Sequence, residues 1–238
     1  MPHYRKRRRH TNYEGFSEAK EELKRLGKIG LPPLLSALAS IFSTAKRPIS
    51  FKHTHHLVFG KTNDGKCIHD TRFSFSATAL VSSPTTAEEL QSRITQSIDL
   101  AVKLDAKSAN FYHLGLGEGD SLKKFLFFFL AIEIQTHSVF KSIAHEDGLS
   151  ALLTPPNRAI NSTKALFKVR NNHMKTLRDR FVWCVLCVWK ELTDFDVETF
   201  TELKRVRDDI AHGSISVPPK DAVVKVQDLA TKLQLSYV

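Results

Sequence analysis

From residue 121 onward the apolar residues recur at helical spacing in four successive segments. That repetition constrains the fold more than any other feature of the chain. The segments are about 121–145, 174–192, 195–211 and 219–235. In 195–211, at roughly 100° per residue, Val197, Phe200, Leu203, Val206 and Ile210 share one face. In 121–145 the shared face is Leu122, Phe125, Leu126, Phe129, Thr136 and Phe140. The last segment follows Pro218-Pro219 and carries Ala222, Val226, Leu229 and Leu233 at the same spacing. Helices with one apolar face each are stable when those faces pack together, so a four-helix bundle is expected over 113–238. Between the first two helices, "LLTPPNRAINST" reads as a long linker.

Upstream the pattern differs. Residues 14–29 mix Glu, Lys and Arg with Phe16, Leu23, Leu26 and Ile29, which predicts a short amphipathic helix. Gly30 and Pro32-Pro33 are expected to break it before a second apolar helix reaching about Ser43. The period then changes. "ISFKHTHHLVFG" and "CIHDTRFSFSATALV" are rich in β-formers and flank "KTNDGK", where Asp64-Gly65 suits a tight turn, so a hairpin is expected over 49–81. Thr86 and Glu89 make a capping-box start for a helix striped by Leu90, Ile94, Ile98, Ala101 and Val102. "GLGEGD" (115–120) has phosphate-loop glycines but no GK[ST] and no preceding strand, so it reads as a linker. The expected fold class is mainly α: a small α+β region over 14–112 with its hairpin, then the bundle.

The 238-residue chain carries a net charge of +10 and a pI near 9.6. Arg5, Lys6, Arg7, Arg8 and Arg9 supply half of that excess, in a stretch (1–13) expected to be a disordered basic tail. The rest still carries +5, which suits a polyanionic partner. Cys184 and Cys187 lie on one face of "FVWCVLCVW", with no second CxxC to complete a zinc site. They read as packed thiols in a reducing compartment. No signal peptide opens the chain, and the apolar runs 31–45 and 125–134 fall short of the ~20 apolar residues a membrane span needs. A cytoplasmic location without a membrane partner is expected.

Two charges interrupt the apolar faces. Arg207 falls mid-stripe on 195–211, and Glu133 does the same on 121–145. A lone buried charge is costly, so each is expected to find a partner, the other being the simplest, or to border a wet cleft. Gly213 is a natural residue to end the helix, which puts His212 in or just past its last turn. There the helix dipole favours the protonated imidazole, and Asp208, four residues earlier, is placed to orient it.

Arg207-Asp208-x-x-x-His212, within "RDDIAHG" on the third of four helices, resembles the R-x(4–6)-H motif of the HEPN superfamily. The resemblance covers roughly 115–238 and includes a long apolar first helix with an acidic residue, "FFFLAIEIQTHSVF". Where the family often has Asn after the arginine, this chain has Asp208. The hairpin region lies outside the family core, and its placement before the bundle is similar to MauJ-like and ApeA-like branches. The resemblance implies a metal-independent endoribonuclease that needs no cofactor and works as a homodimer, two motifs lining one cleft. It also implies RNA as partner, an antitoxin or other regulatory protein, and a toxin–antitoxin or antiviral-defence setting. His212 would be the general base or acid, Arg207 the phosphate clamp, Asp208 the orienting carboxylate and Glu133 a supporting group. Attack by the ribose 2′-OH would leave a 2′,3′-cyclic phosphate, and DNA would resist. Some members of the superfamily keep the scaffold without cleavage. The alternative is therefore a non-catalytic module that binds RNA or a protein, with Arg207–Glu133 as a structural ion pair.

Other clusters carry less. His53, His55 and His56, with Cys67 and His69 across the hairpin, match no metal-ligand spacing and read as polar strand surface. "KVRNNHMK" (168–175) reads as a solvated loop able to meet RNA backbone. Trp183 and Trp189 suit core packing better than base stacking.

Overall fold

The computed structural model describes residues 2–43, 49–51, 59–61, 65, 67–69, 86–152 and 174–237. The chain is mainly helical. Its described elements are α1 (Pro2–Phe42), β1 (Phe59–Lys61), β2 (Cys67–His69), α2 (Ala87–Lys103), α3 (Ala106–Gly117), α4 (Ser121–Ser142), α5 (His145–Leu152), α6 (Leu177–Cys187), α7 (Asp194–Ala211) and α8 (Lys220–Leu235). No described helix is long and apolar enough to cross a membrane.

The four striped segments become α4, α6, α7 and α8. Aromatic rings bind three of these helices together. Phe200 of α7 stacks on Phe181 of α6 at 4.0 Å and 5°, and on Phe129 of α4 at 6.1 Å and 12°. All three rings are fully buried, with Trp189 against Phe181 at 5.5 Å. The α8 stripe, Ala222, Val226, Leu229 and Leu233, closes the same core. Trp183 is also buried, so both tryptophans pack as expected. Cys184 and Cys187 are free thiols, and burial, with Cys187 nearby, pushes the Cys184 thiol up to about 12.

Upstream of α4 the structure departs from expectation at α1 and at α3. The bounds of α1 take in the basic run, and α1 passes through Pro32 and Pro33 instead of breaking at Gly30. Prolines inside a helix remove N–H donors at a cost of about 3 kcal/mol each. Beyond them Ser36, Ala37, Ala39 and Ser40 are buried, and Ser36 Oγ donates to the Ala109 carbonyl at 2.6 Å. Tertiary packing of these small side chains offsets the local penalty. "GLGEGD" is not wholly a linker: Gly115 and Gly117 end α3, a helix separate from α2. Asp105 starts it by accepting the N–H groups of Lys107 and Ser108. Gly115 is required because a Cβ there would sit 2.9 Å from the Phe128 ring. After Ser142 a short separate helix, α5, begins at His145, and the linker expected at 152–163 lies, apart from Leu152, outside the described residues.

The boundary expected at 112–113 falls inside α3. Tyr112 is buried in the bundle core, its hydroxyl 2.9 Å from Thr231 of α8. Ser108 Oγ donates to the Ala131 carbonyl at 2.9 Å, and Gln135 Nε2 donates to the Leu233 carbonyl at 2.9 Å. Gln234 Nε2 lies 3.3 Å from Gln135 Oε1, so α3, α4 and α8 share one buried polar knot. Of the hairpin, the described part is the antiparallel pair Phe59–His69, Gly60–Ile68 and Lys61–Cys67, with Gly65 in the turn at φ 82°. The remainder of 49–81, apart from residues 49–51, lies outside the described residues.

Asp196 fixes the start of α7. Its buried carboxylate accepts from the Thr193 N–H at 2.9 Å, the Thr193 hydroxyl at 3.1 Å and Lys232 Nζ at 2.6 Å. Burial by itself would raise this carboxyl, but the Lys232 and Thr193 hydrogen bonds and the Lys232 charge outweigh it and hold Asp196 below the ordinary value. A group whose pKa is depressed by folding stabilises the fold above its unfolded value and loses that contribution as pH falls through the folded one. The contribution is therefore complete above about pH 5, starts to fade near the ordinary aspartate value of about 3.9 and declines further below it. Asp196→Asn is expected to lower stability at neutral pH by roughly 1–2 kcal/mol, because Lys232 is half exposed. It should also flatten the acid limb of stability measured by denaturant titration from pH 7 to about pH 3.

Candidate functional site

The sequence-predicted residues lie on α4 and at the end of α7. His212 caps α7 with φ −89° and ψ 1°. Gly213, at φ 72°, follows with its N–H on the Ile210 carbonyl at 3.1 Å, while the Ser214 N–H reaches the Asp209 carbonyl at 2.8 Å. This is a Schellman closure, and it needs a residue that accepts a left-handed backbone. The turn leaves His212 exposed at the helix's negative end. Nothing surrounds Gly213 within 4 Å of where a Cβ would stand, so the cost of a side chain there is backbone alone. Gly213→Ala should lower stability by about 1–2 kcal/mol in chemical denaturation, and Gly213→Asn by less.

Arg207 is partly buried. Its guanidinium lies over the Phe129 ring, 5.3 Å from the centroid. Nη1 meets Asp208 Oδ1 at 2.9 Å, whereas Nη2 lies 3.9 Å from Glu133 Oε2, beyond hydrogen-bond length. Its Nε is buried and, among the described residues, has no hydrogen-bond partner. The structure thus brings Arg207 and Glu133 together but does not lock them.

Asp208 is committed elsewhere than expected. Its second oxygen takes Lys204 Nζ at 2.6 Å, one turn back on α7. Partial burial works to raise the carboxyl. The Lys204 hydrogen bond, then the charges of Arg207, Lys204 and His212, pull harder and leave it lowered. Asp208 therefore holds Arg207 and Lys204, and among the described residues it makes no hydrogen bond to the His212 imidazole; His212 acts on it only through charge. The negative charge of Asp208 is already neutralised by two cations.

Two further residues join this face. His137, one turn after Glu133 on α4, places Nε2 3.9 Å from Glu133 Oε1. Arg180 of α6 places Nη1 2.9 Å from His137 Nδ1 and lies over Phe140 at 5.5 Å. A guanidinium only donates, so Nδ1 accepts, and the proton of the neutral ring sits on Nε2. Burial chiefly, then the Arg180 and Lys141 charges, lowers the His137 pKa against the opposing pull of Glu133. Arg207, Glu133, His137 and Arg180 thus form a chain of groups across α7, α4 and α6. Glu133 and His137 are i and i+4 on one helix, a spacing visible in "EIQTH". Arg180 has no sequence signal, because it reaches the site only through helix packing.

The other clusters do not assemble. His53, His55, His56 and residues 168–173 lie outside the described residues, and of Cys67 and His69 only the backbone is described. Among the described residues no three His, Cys, Asp or Glu side chains are grouped to hold a metal ion. What the described site offers is charge and proton-transfer chemistry: a half-open guanidinium with an unpaired N–H, an exposed imidazole five residues on, and carboxylates that position the cation. No family model, curated protein or solved structure matches the chain.

Proposed function

We propose that the chain is a HEPN-type endoribonuclease that cleaves RNA without a metal, through attack of the ribose 2′-OH. The observation that supports this most is the state of Arg207, anchored by Asp208 and Phe129 yet with a 3.9 Å gap to Glu133 and an unpartnered Nε. A phosphate oxygen approaching Nη2 beside Glu133 would receive a charge-assisted hydrogen bond without dismantling the anchor. Arg207 then clamps the scissile phosphate, and Asp208 and Glu133 hold the guanidinium. His212, exposed on the same helix, takes or gives the proton. Two proton transfers are needed, and pairing of two chains across a two-fold axis would supply the second His212. RNA, a second copy and a regulatory protein such as an antitoxin are the partners this reading implies, in a toxin or antiviral-defence role.

One observation favours the non-catalytic alternative. Arg207 already satisfies Asp208 and stacks on Phe129, a set of contacts that serves a structural cation equally well. Purified full-length protein incubated in EDTA with RNA, and with a 2′-O-methyl copy of it, separates the two. The nuclease reading expects cleavage of the first alone, with 2′,3′-cyclic phosphate ends. Intact RNA after incubation with folded protein, over a range of protein concentrations, would favour the binding module.

A further inference from the structure

Beside His137 a cavity of about 530 Å³ opens between α3 and α4. Asp105, Lys107, Ile134, His137, Ser138 and Lys141 line it. Its one carboxylate is engaged, since Asp105 Oδ1 accepts the N–H groups of Lys107 and Ser108. Its two ammonium groups are exposed, and among the described residues neither has an ion-pair partner. Two unneutralised lysines converging on a concave surface with hydroxyl and imidazole donors make a place for an anion. Ile134 is the apolar side chain of the lining, and among the described residues no Phe, Tyr or Trp lines the cavity to offer a base a stacking platform. The chemistry therefore fits a ribose-phosphate backbone and not a base: contacts that position a strand without reading it.

We infer that this cavity holds a backbone phosphate of the same RNA strand whose scissile phosphate lies at Arg207, with Lys107 and Lys141 supplying the charge and Ser138 and His137 the neutral contacts. The inference rests on RNA being the substrate. It adds a second anchoring point, linked to Arg207 through the Glu133–His137 pair of α4.

The test uses the full chain and a short 2′-O-methyl RNA, which binds without being cleaved. Affinity is followed by fluorescence anisotropy as salt is raised. For Lys107→Ala/Lys141→Ala the slope of log affinity against log salt should be shallower by about 0.7, the counterion release of one single-strand phosphate contact. Lys190→Ala/Lys220→Ala removes the same charge from exposed positions away from the cavity and should leave the slope unchanged. Equal slopes for the two double variants would overturn the inference. So would saturation of the His137 imidazole NMR signal by inorganic phosphate that the RNA cannot displace, since that marks a small-anion site. On cleavable RNA the Lys107→Ala/Lys141→Ala protein should raise KM with kcat nearly unchanged, and a fall in kcat at constant KM would overturn the inference as well. The binding arm is independent of cleavage. An inactive wild type that keeps the slope difference removes the nuclease reading and supports the phosphate subsite.

Discussion

Under the proposed nuclease activity, Arg207→Ala and His212→Ala are each expected to lose RNA cleavage by about 10²–10⁴-fold, the range for removing a transition-state cation or a proton-transfer group. The two losses should differ in what accompanies them. His212 is exposed and its imidazole makes no hydrogen bond among the described residues, so its removal should change stability by less than about 0.5 kcal/mol. Arg207 anchors Asp208 and covers Phe129, so its removal should also lower stability. Arg207→Lys is the sharper variant. It keeps the charge but loses the planar fork that can hold Asp208 and a phosphate together, so activity should fall much further than stability. Initial cleavage rates in EDTA, set beside denaturation midpoints for the three variants, check all of this. A His212→Ala protein as active as the wild type would remove His212 from the chemistry.

Phe200→Ala is expected to cost about 3–5 kcal/mol, a large share of the 5–15 kcal/mol that holds an ordinary domain together. The ring is fully buried between Phe181 and Phe129, and its loss opens a hole where α4, α6 and α7 meet. Rings locked on both sides relax little into such a hole, which places the cost toward the top of the range. Phe200 also lies two turns before Arg207 on α7, above the same Phe129 that carries the guanidinium. Chemical denaturation of Phe200→Ala and Phe200→Leu measures the effect, with the leucine variant expected to retain more of the stability. A loss below about 1 kcal/mol for the alanine variant would mean that the stack is not what joins these helices.

These two positions show what sequence alone could reveal. Helical periodicity located α4, α6, α7 and α8 because each buries one continuous apolar stripe. Gly213 was legible as a helix end because a left-handed backbone has few other occupants. Glu133 and Arg207 stood out as charges on apolar faces, and the structure places them 3.9 Å apart. Periodicity could not show the cross-helix choices. Asp208 pairs with Lys204 rather than the imidazole, and Arg180 reaches His137 from a different helix. Nor could local propensity show that α1 runs through Pro32-Pro33, because burial of Ser36, Ala37 and Ser40 decides that outcome. The α3 start was present as an Asp105 cap, but apolar residues at helical spacing run up to Val102 and hide the break, although Leu90, Ile98 and Val102 prove exposed and α2 buries Ser97 and Leu100 instead.

The buried knot of Ser108, Gln135 and Gln234 has a bearing on engineering. A piece beginning at residue 113 would retain the whole motif-bearing bundle, yet Gln135 and Gln234 would face a vacancy in place of Ser108, and the Phe128 ring would lose Tyr112, which lies 5.5 Å from it. Grafting these four helices onto another N-terminal region would demand a serine-sized donor at one position and a residue without a Cβ two turns later. The front of the chain and the bundle are therefore packed as one unit, joined at two positions where only small residues fit.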